Sequence, residues 1–331
     1  MTLKFIDLFA GIGGIRMGLE SAAQKAGIET KCVFSSEIDK YAIQTYITNF
    51  GKTNFFGDIT NLGDDLNIDK TVPNFDILLA GFPCQPFSQA GLRKGFGDTR
   101  GTLFFWIDRI LKIKKPKAFL LENVKHLKGH DQGNTLRTIL NNLRENYYVP
   151  EPKVLNAKNF GLPQNRERIY IVGFIKDNGD FNYPKPTNIE TKVGNILEKY
   201  VGKSYTISDK LWAGHKRRKR EHKIKGNGFG YGLFDKNSKY TNTISARYYK
   251  DGSEVLISKG KDRNPRKLTE RECARLQGFP DSFKIPVSRA QAYRQFGNSV
   301  PVSVIKKISE SMFDYIQQKK KIKNNQLRLI S

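Results

Sequence analysis

The sequence predicts a doubly wound α/β fold with a smaller, loop-rich module carried near its end. Three observations point there. Apolar strand-like runs alternate with helical spacing over the first 175 residues, the first run ends in a glycine-rich turn, and the patterning changes at about residue 183. At 331 residues, with 38% hydrophobic and 11% aromatic content, the chain can bury a sizeable core and is not of disordered composition.

Leu3 to Leu8 reads as the first strand, and helical spacing follows from Ile15 to Ala26. Lys31 to Ser36 reads as a strand, Tyr41 to Phe50 as a helix, and Phe75 to Ala80 as a buried strand stopping at Gly81-Phe82-Pro83. Gln89 to Gly101 is glycine-rich with little apolar content, as a surface loop or lid is. A helix (Thr102 to Ile113), a strand (Lys117 to Leu121), a helix (Gly133 to Asn146) and two strands, near Val154 and from Ile169 to Phe174, complete the sheet. Pro184 and Pro186 mark a boundary, after which glycine, tyrosine and basic residues dominate a loop-rich module with short strands. Thr269 and Glu272 form a capping box opening a helix to Gln277, and Val302 to Gln317 is an amphipathic helix returning to the first domain. The expected division is 1–186 plus 291–331 against 187–290.

No apolar run is long enough to span a bilayer, and Met1 to Phe5 lead straight into a strand with no signal peptide, so a cytoplasmic protein is expected. Cys32, Cys84 and Cys273 are too few and too scattered for a disulfide framework or a cysteine-rich zinc site, and no metal is expected. Lys and Arg number 57 against 32 Asp and Glu, a net charge of +25. Residues 187–290 hold 24 basic and 11 acidic residues, +13 of the total in under a third of the length. Such concentration suits a polyanion, nucleic acid above all.

A strand, then Phe9-Ala10-Gly11-Ile12-Gly13-Gly14, then a helix brings backbone close to a ligand at the carboxyl edge of the sheet. A dinucleotide fingerprint requires glycine or alanine three places after Gly13, where Arg16 stands, so a nicotinamide enzyme is disfavoured. Glu37, ending the second strand, suits a ribose hydroxyl pair. Cys84 lies in a proline-flanked turn at one strand end, and Glu122 ends the neighbouring strand. A thiol and a carboxyl group facing one crevice suit a nucleophile with an acid, without histidine or metal. Cys32, inside a strand, and Cys273, in a helix, read as core.

Six segments occur in order: Phe9 to Gly14, Pro83-Cys84-Gln85, Glu122-Asn123-Val124, Gln164 to Arg168, Arg271 to Arg275, and Gln295 to Val300. Together they resemble the motif set of the bacterial DNA cytosine-5 methyltransferases over nearly the whole chain. The resemblance implies a Rossmann-like domain dependent on S-adenosylmethionine, with a target-recognition domain over 187–290 that acts on double-stranded DNA. It makes Cys84 the nucleophile for cytosine carbon 6, Glu122 the acid at ring nitrogen 3, and Arg168 the holder of the base carbonyl. Arg166 supports Arg168 or serves as a structural ion-pair partner.

For the methyl donor the resemblance implies Phe9, Gly11 and Gly13 at the methionine part, Glu37 at the ribose and Asp58 at the adenine amino group. Ile38 and Leu103 lie against the adenine or are core, and Asn298 and Val300 close the pocket. Gln85 and Ser88 lie beside the DNA, and the 89–101 loop closes over a flipped base. Lys216, Arg217 and Arg218 open a basic run that suits a phosphate clamp, with a solvated face as the alternative. The stretch Thr243 to Gly252 resembles methylases of CCGG, CCNGG or CCWGG sites and puts Arg247 or Tyr248 near bases. A restriction–modification methylase acting as a monomer is the implied role. A tRNA-directed relative and a catalytically idle DNA-binding regulator remain the alternatives.

Overall fold

A computed structural model describes the chain except residues 1, 53, 84–102, 176–178, 188, 229 and 329–331, and gives the backbone alone from residue 318. Seven strands form one sheet in the order β3-β2-β1-β4-β5-β7-β6. These are β1 (Leu3–Leu8), β2 (Thr30–Ser36), β3 (Phe55–Phe56), β4 (Ile77–Gly81), β5 (Ala118–Val124), β6 (Lys153–Asn156) and β7 (Glu167–Phe174). The first five pair in parallel, and β7 runs antiparallel to both neighbours. The connection from β6 to β7, residues 157–166, holds one 3₁₀ turn (Ala157–Phe160) and Gly161 at φ 81, and is shorter than a parallel crossover of about a dozen residues or more. So short a connection can join antiparallel neighbours only, because a parallel return requires a longer crossover.

Along β4 the side chains alternate between two cores, as strands covered on both faces require. Leu78 and Ala80 pack with α3 (Asp65–Thr71), α4 (Leu103–Lys114) and α5 (Asn134–Arg144). Ile77 and Leu79 pack with α1 (Gly14–Lys25) and the long last helix (Val302–Arg328). That last helix crosses α1 closely, for a Cβ on Gly18 would lie 2.5 Å from Ile305. Tight helix packing is therefore supplied by Gly18, two places beyond the position where Arg16 breaks the dinucleotide pattern. Cys32 and Cys273 are both buried.

A third core holds the rest. Val193, Ile244, Tyr248, Val255, Leu268 and Cys273 pack with Ala292 and Phe296, and with Ile12 and Ala42, the latter on α2 (Lys40–Phe50). The region expected to be loops and short strands does contain a two-residue parallel pair, β8 (Leu233–Phe234) with β9 (Leu256–Ile257). It also contains a 16-residue helix, α6 (Asp209–Ile224), capped by Ser208. The sequence hides α6 because it has no apolar stripe, and His215 is its one buried residue. Beyond it come α7 (Tyr248–Asp251), α8 (Glu270–Leu276) with the expected Thr269–Glu272 capping box, α9 (Arg289–Asn298) and the last helix, α10. Among the described residues no helix is long and apolar enough to cross a membrane.

Candidate active site

The carboxyl ends of β1, β2, β4 and β5 open into one cleft of about 440 Å³, within the range of small-molecule sites. Its glycine turn holds strained backbone, with Phe9 at φ 53 and Gly11 at φ 54, in the left-handed region that disfavours side chains. The Gly11 N–H donates to Glu37 Oε2 at 2.8 Å, while Glu37 Oε1 accepts from Ile38 N at 2.8 Å and Asp39 N at 2.9 Å. One carboxylate thus sets both the turn and the β2 exit, and its lone pairs retain capacity for ribose hydroxyls. Around Gly11 a Cβ would meet open space, as suits close approach of a ligand. Gly13 is different. It caps α1 at φ 82 without lining the cleft, and a Cβ there would lie 2.2 Å from the Phe50 ring. Its role in the fold is the packing of the turn against Phe50.

Beneath the turn lies a buried polar group. Tyr46 donates to Asp7 Oδ2 at 3.2 Å, shares a 2.9 Å hydrogen bond with Ser35, and accepts from Arg16 Nη1 at 3.1 Å. Burial pushes the Asp7 carboxyl up to about 8, against the pull of Arg16 and Tyr46.

The reacting end of the cleft is built by register. Gly81 and Glu122 are partners across β4 and β5, so the chain leaving β4 toward Cys84 starts beside the carboxylate. Asn123 Nδ2 donates to the Phe82 carbonyl at 2.9 Å and fixes that exit. Cys84, Gln85, Ser88 and the 89–101 loop lie outside the described residues. Glu122, 8% exposed, pairs with Arg168 Nε at 3.0 Å. Burial pushes its carboxyl up from the ordinary value, while Arg168 and Arg166 pull it down.

Among the described residues Arg166 has no ion-pair partner. It donates to the carbonyls of Ile244 at 2.8 Å, Gly297 at 2.9 Å and Ser299 at 2.6 Å, tying the start of β7 both to the 187–290 segment and to the end of α9. Burial and the charge of Arg168 push its pKa down to about 9, leaving it cationic at neutral pH.

Of the other predicted cofactor residues, Ile38, Asp58, Leu103, Asn298 and Val300 all line the cleft. Ile38 is 74% exposed, so it is no core residue and presents an apolar side chain to whatever enters. Asp58 caps a short turn by accepting from Thr60 N and Oγ1. Among the lining residues not anticipated as site residues, Gln291, Arg294 and Gln295 lie together on α9. With Asn298 they repeat at i, i+3, i+4 and i+7, a polar stripe that helical spacing could have exposed.

The expected DNA contacts divide. Lys216 and Arg217 are exposed on α6, Lys216 over the Trp212 ring at 5.5 Å and Arg217 in a loose surface pair with Glu221 at 3.6 Å. Arg218 is already engaged, donating to His215 Nδ1 at 2.9 Å and Asp251 at 3.2 Å. Arg247 is exposed where α7 begins. Tyr248 is wholly buried and no base reader, for its hydroxyl donates to the Val255 carbonyl at 2.7 Å and accepts from Leu268 N at 2.8 Å.

Residues 3–314 match the family described as C-5 cytosine-specific DNA methylase. Type II methyltransferase M.NlaX of Neisseria lactamica is 63% identical over 309 residues, spanning 93% of this chain and 96% of its own. Type II methyltransferase M.HpaII of Haemophilus parainfluenzae is 48% identical over 334 residues, spanning 93% and 89%. The crystal structure of S. pombe Dnmt2 methyltransferase shares the fold, with a TM-score of 0.76 at 20% identity over 96% of this chain and 99% of that one. Family match and cleft together define the class, an α/β methyltransferase. More particularly, the chain belongs to the C-5 cytosine-specific DNA methylases. It is an enzyme that methylates DNA cytosine at carbon 5 with S-adenosylmethionine as methyl donor.

Proposed function

We propose that the enzyme modifies one cytosine within a short, specific duplex site, as the methylase of a restriction–modification pair, through covalent attack by Cys84. The observation that carries this reading is the register of Gly81 with Glu122, two residues before Pro83-Cys84. A stacked base cannot present its ring face to a thiol, so the target is flipped into the cleft. The Cys84 thiolate adds to carbon 6 while Glu122 gives a proton to ring nitrogen 3, and Arg168 holds the carbonyl oxygen. Carbon 5 becomes nucleophilic. S-adenosylmethionine supplies the methyl group there. Loss of the carbon-5 proton to a base, with water the simplest acceptor, then re-forms the 5,6 double bond and expels the thiolate, while nitrogen 3 returns its proton to Glu122.

The donor fits this chain's own groups. Glu37 would take the ribose hydroxyls, Ile38 and Leu103 the adenine faces, Asp58 its amino group, and Phe9, Gly11, Asn298 and Val300 the methionine end. Residues 187–290 would serve as the recognition domain, with Lys216 and Arg217 on phosphates, Arg247 near bases, and Gln85 and Ser88 beside the flipped nucleotide. Action by a single subunit in the cytoplasm, where bacterial DNA lies, completes the reading.

Duplex DNA carrying 5-fluorocytosine at the target should trap a covalent adduct with the wild type and none with Cys84→Ser, read by denaturing electrophoresis. A wild type that binds S-adenosylmethionine yet traps no such DNA would sink the mechanism. Bisulfite sequencing of DNA from cells expressing the gene identifies the target cytosine.

A further inference from the structure

The polar stripe of α9 is not uniform. Gln295 is 8% exposed, and its Oε1 accepts from Thr45 Oγ1 at 3.0 Å, so it belongs to the cleft wall. Arg294 is exposed at the rim. Its guanidinium carbon stands 4.3 Å from the centroid of the Tyr249 ring, and Tyr249 lies on α7, in the 187–290 segment. Stacking occupies the flat face of a guanidinium and leaves the N–H groups at its edge to point outward. Among the described residues none of those N–H groups has a hydrogen-bond or ion-pair partner. Arg168, across the cleft, is in the opposite condition, committed to Glu122 and to the Glu167 carbonyl.

An unpaired cation held on an aromatic ring at the rim is preorganised for an anion, and a guanidinium edge matches a phosphate in two-point geometry. A cytosine extruded into the cleft brings its own flanking phosphates to that rim. We propose that Arg294, held on Tyr249, binds the DNA phosphate beside the flipped cytosine and so couples docking of the recognition module to filling of the cleft. This rests on the DNA methylase activity stated above. The other anion in the cleft is the carboxylate of the methyl donor. Asn298, placed at that end, stands one turn along α9 from Arg294, so the test reads S-adenosylmethionine binding separately from DNA binding.

The test uses the whole enzyme and a duplex bearing the cytosine it methylates, with the phosphates flanking that cytosine replaced one at a time by uncharged methylphosphonate. On the native duplex Arg294→Gln should bind DNA about tenfold more weakly. Its slope of log affinity against log salt should be shallower by about 0.9, one phosphate contact. At one flanking position the wild type should lose affinity on substitution while the variant loses nothing further, and Arg294→Lys should recover part of the loss. Binding of S-adenosylmethionine should be unchanged, which also reports that the variant is folded. If the variant instead weakens S-adenosylmethionine, or keeps every methylphosphonate penalty of the wild type, the assignment is overturned. A wild type that does not methylate the native duplex would refute the enzyme reading itself, a different failure.

Discussion

Glu122 is a carboxyl group placed where water is scarce and two guanidiniums are near, so its proton is held by burial against their pull. Chemistry that requires the protonated form gains from burial and loses as pH rises through the raised pKa. Methyl transfer should therefore decline on the alkaline side, with kcat following that decline. Glu122→Gln should cost at least about a hundredfold in kcat and lose the Glu122 part of the pH dependence. A rate profile unchanged in shape between the two proteins would count against the role. Glu122 was legible in the sequence because it ends an apolar strand in a motif of known order. Tyr248 was misread for a physical reason. An aromatic beside an arginine looks like a base reader, and the two partners of its hydroxyl come from Val255 and Leu268, which local sequence does not reveal. Arg294 was passed over because its value lies in a ring contributed by another helix.

Helices α1 and α10 meet where a glycine has no side chain to give, and this contact seats the glycine turn at the head of α1. Gly18→Ala should therefore lower stability by about 1–3 kcal/mol through overpacking against Ile305, read as a lower melting temperature. Helix α6 stands at the other extreme. It packs through His215 and a ring contact of Trp212 with Tyr231 at 4.6 Å, and leaves most of its charge in solvent. The triple change Lys216→Ala, Arg217→Ala, Arg220→Ala should weaken DNA binding at all sequences alike and flatten its salt dependence, while the melting temperature holds. Loss of stability with no change in salt slope would mark α6 as a mere solvated face. The contrast explains what the sequence could tell. Periodicity reports helices that bury a stripe, so α1 and α10 were anticipated and α6 was not.

At the scale of the molecule, two cores sandwich the sheet and a third joins the later module to it. The parallel part of the sheet was legible from alternating strands and helices, whereas the reversal of β7 follows from a connection length whose meaning appears only in three dimensions. Arg166 ties β7 to one main-chain carbonyl in 187–290, that of Ile244, and to two at the end of α9, those of Gly297 and Ser299. Arg166→Met should leave them unpaired and destabilise the protein by at least about 3 kcal/mol, seen in denaturant unfolding, with residues 187–290 cut sooner by protease. Equal unfolding midpoints would show that the junction lies elsewhere. Close by, a Cβ on Gly297 would fall 2.2 Å from the Ser245 main chain, so backbone abuts backbone there as well. Neither grip consults a side chain of the incoming segment. Side-chain changes in the far loops of the module therefore leave both of these main-chain contacts standing, and the cleft behind them keeps its shape.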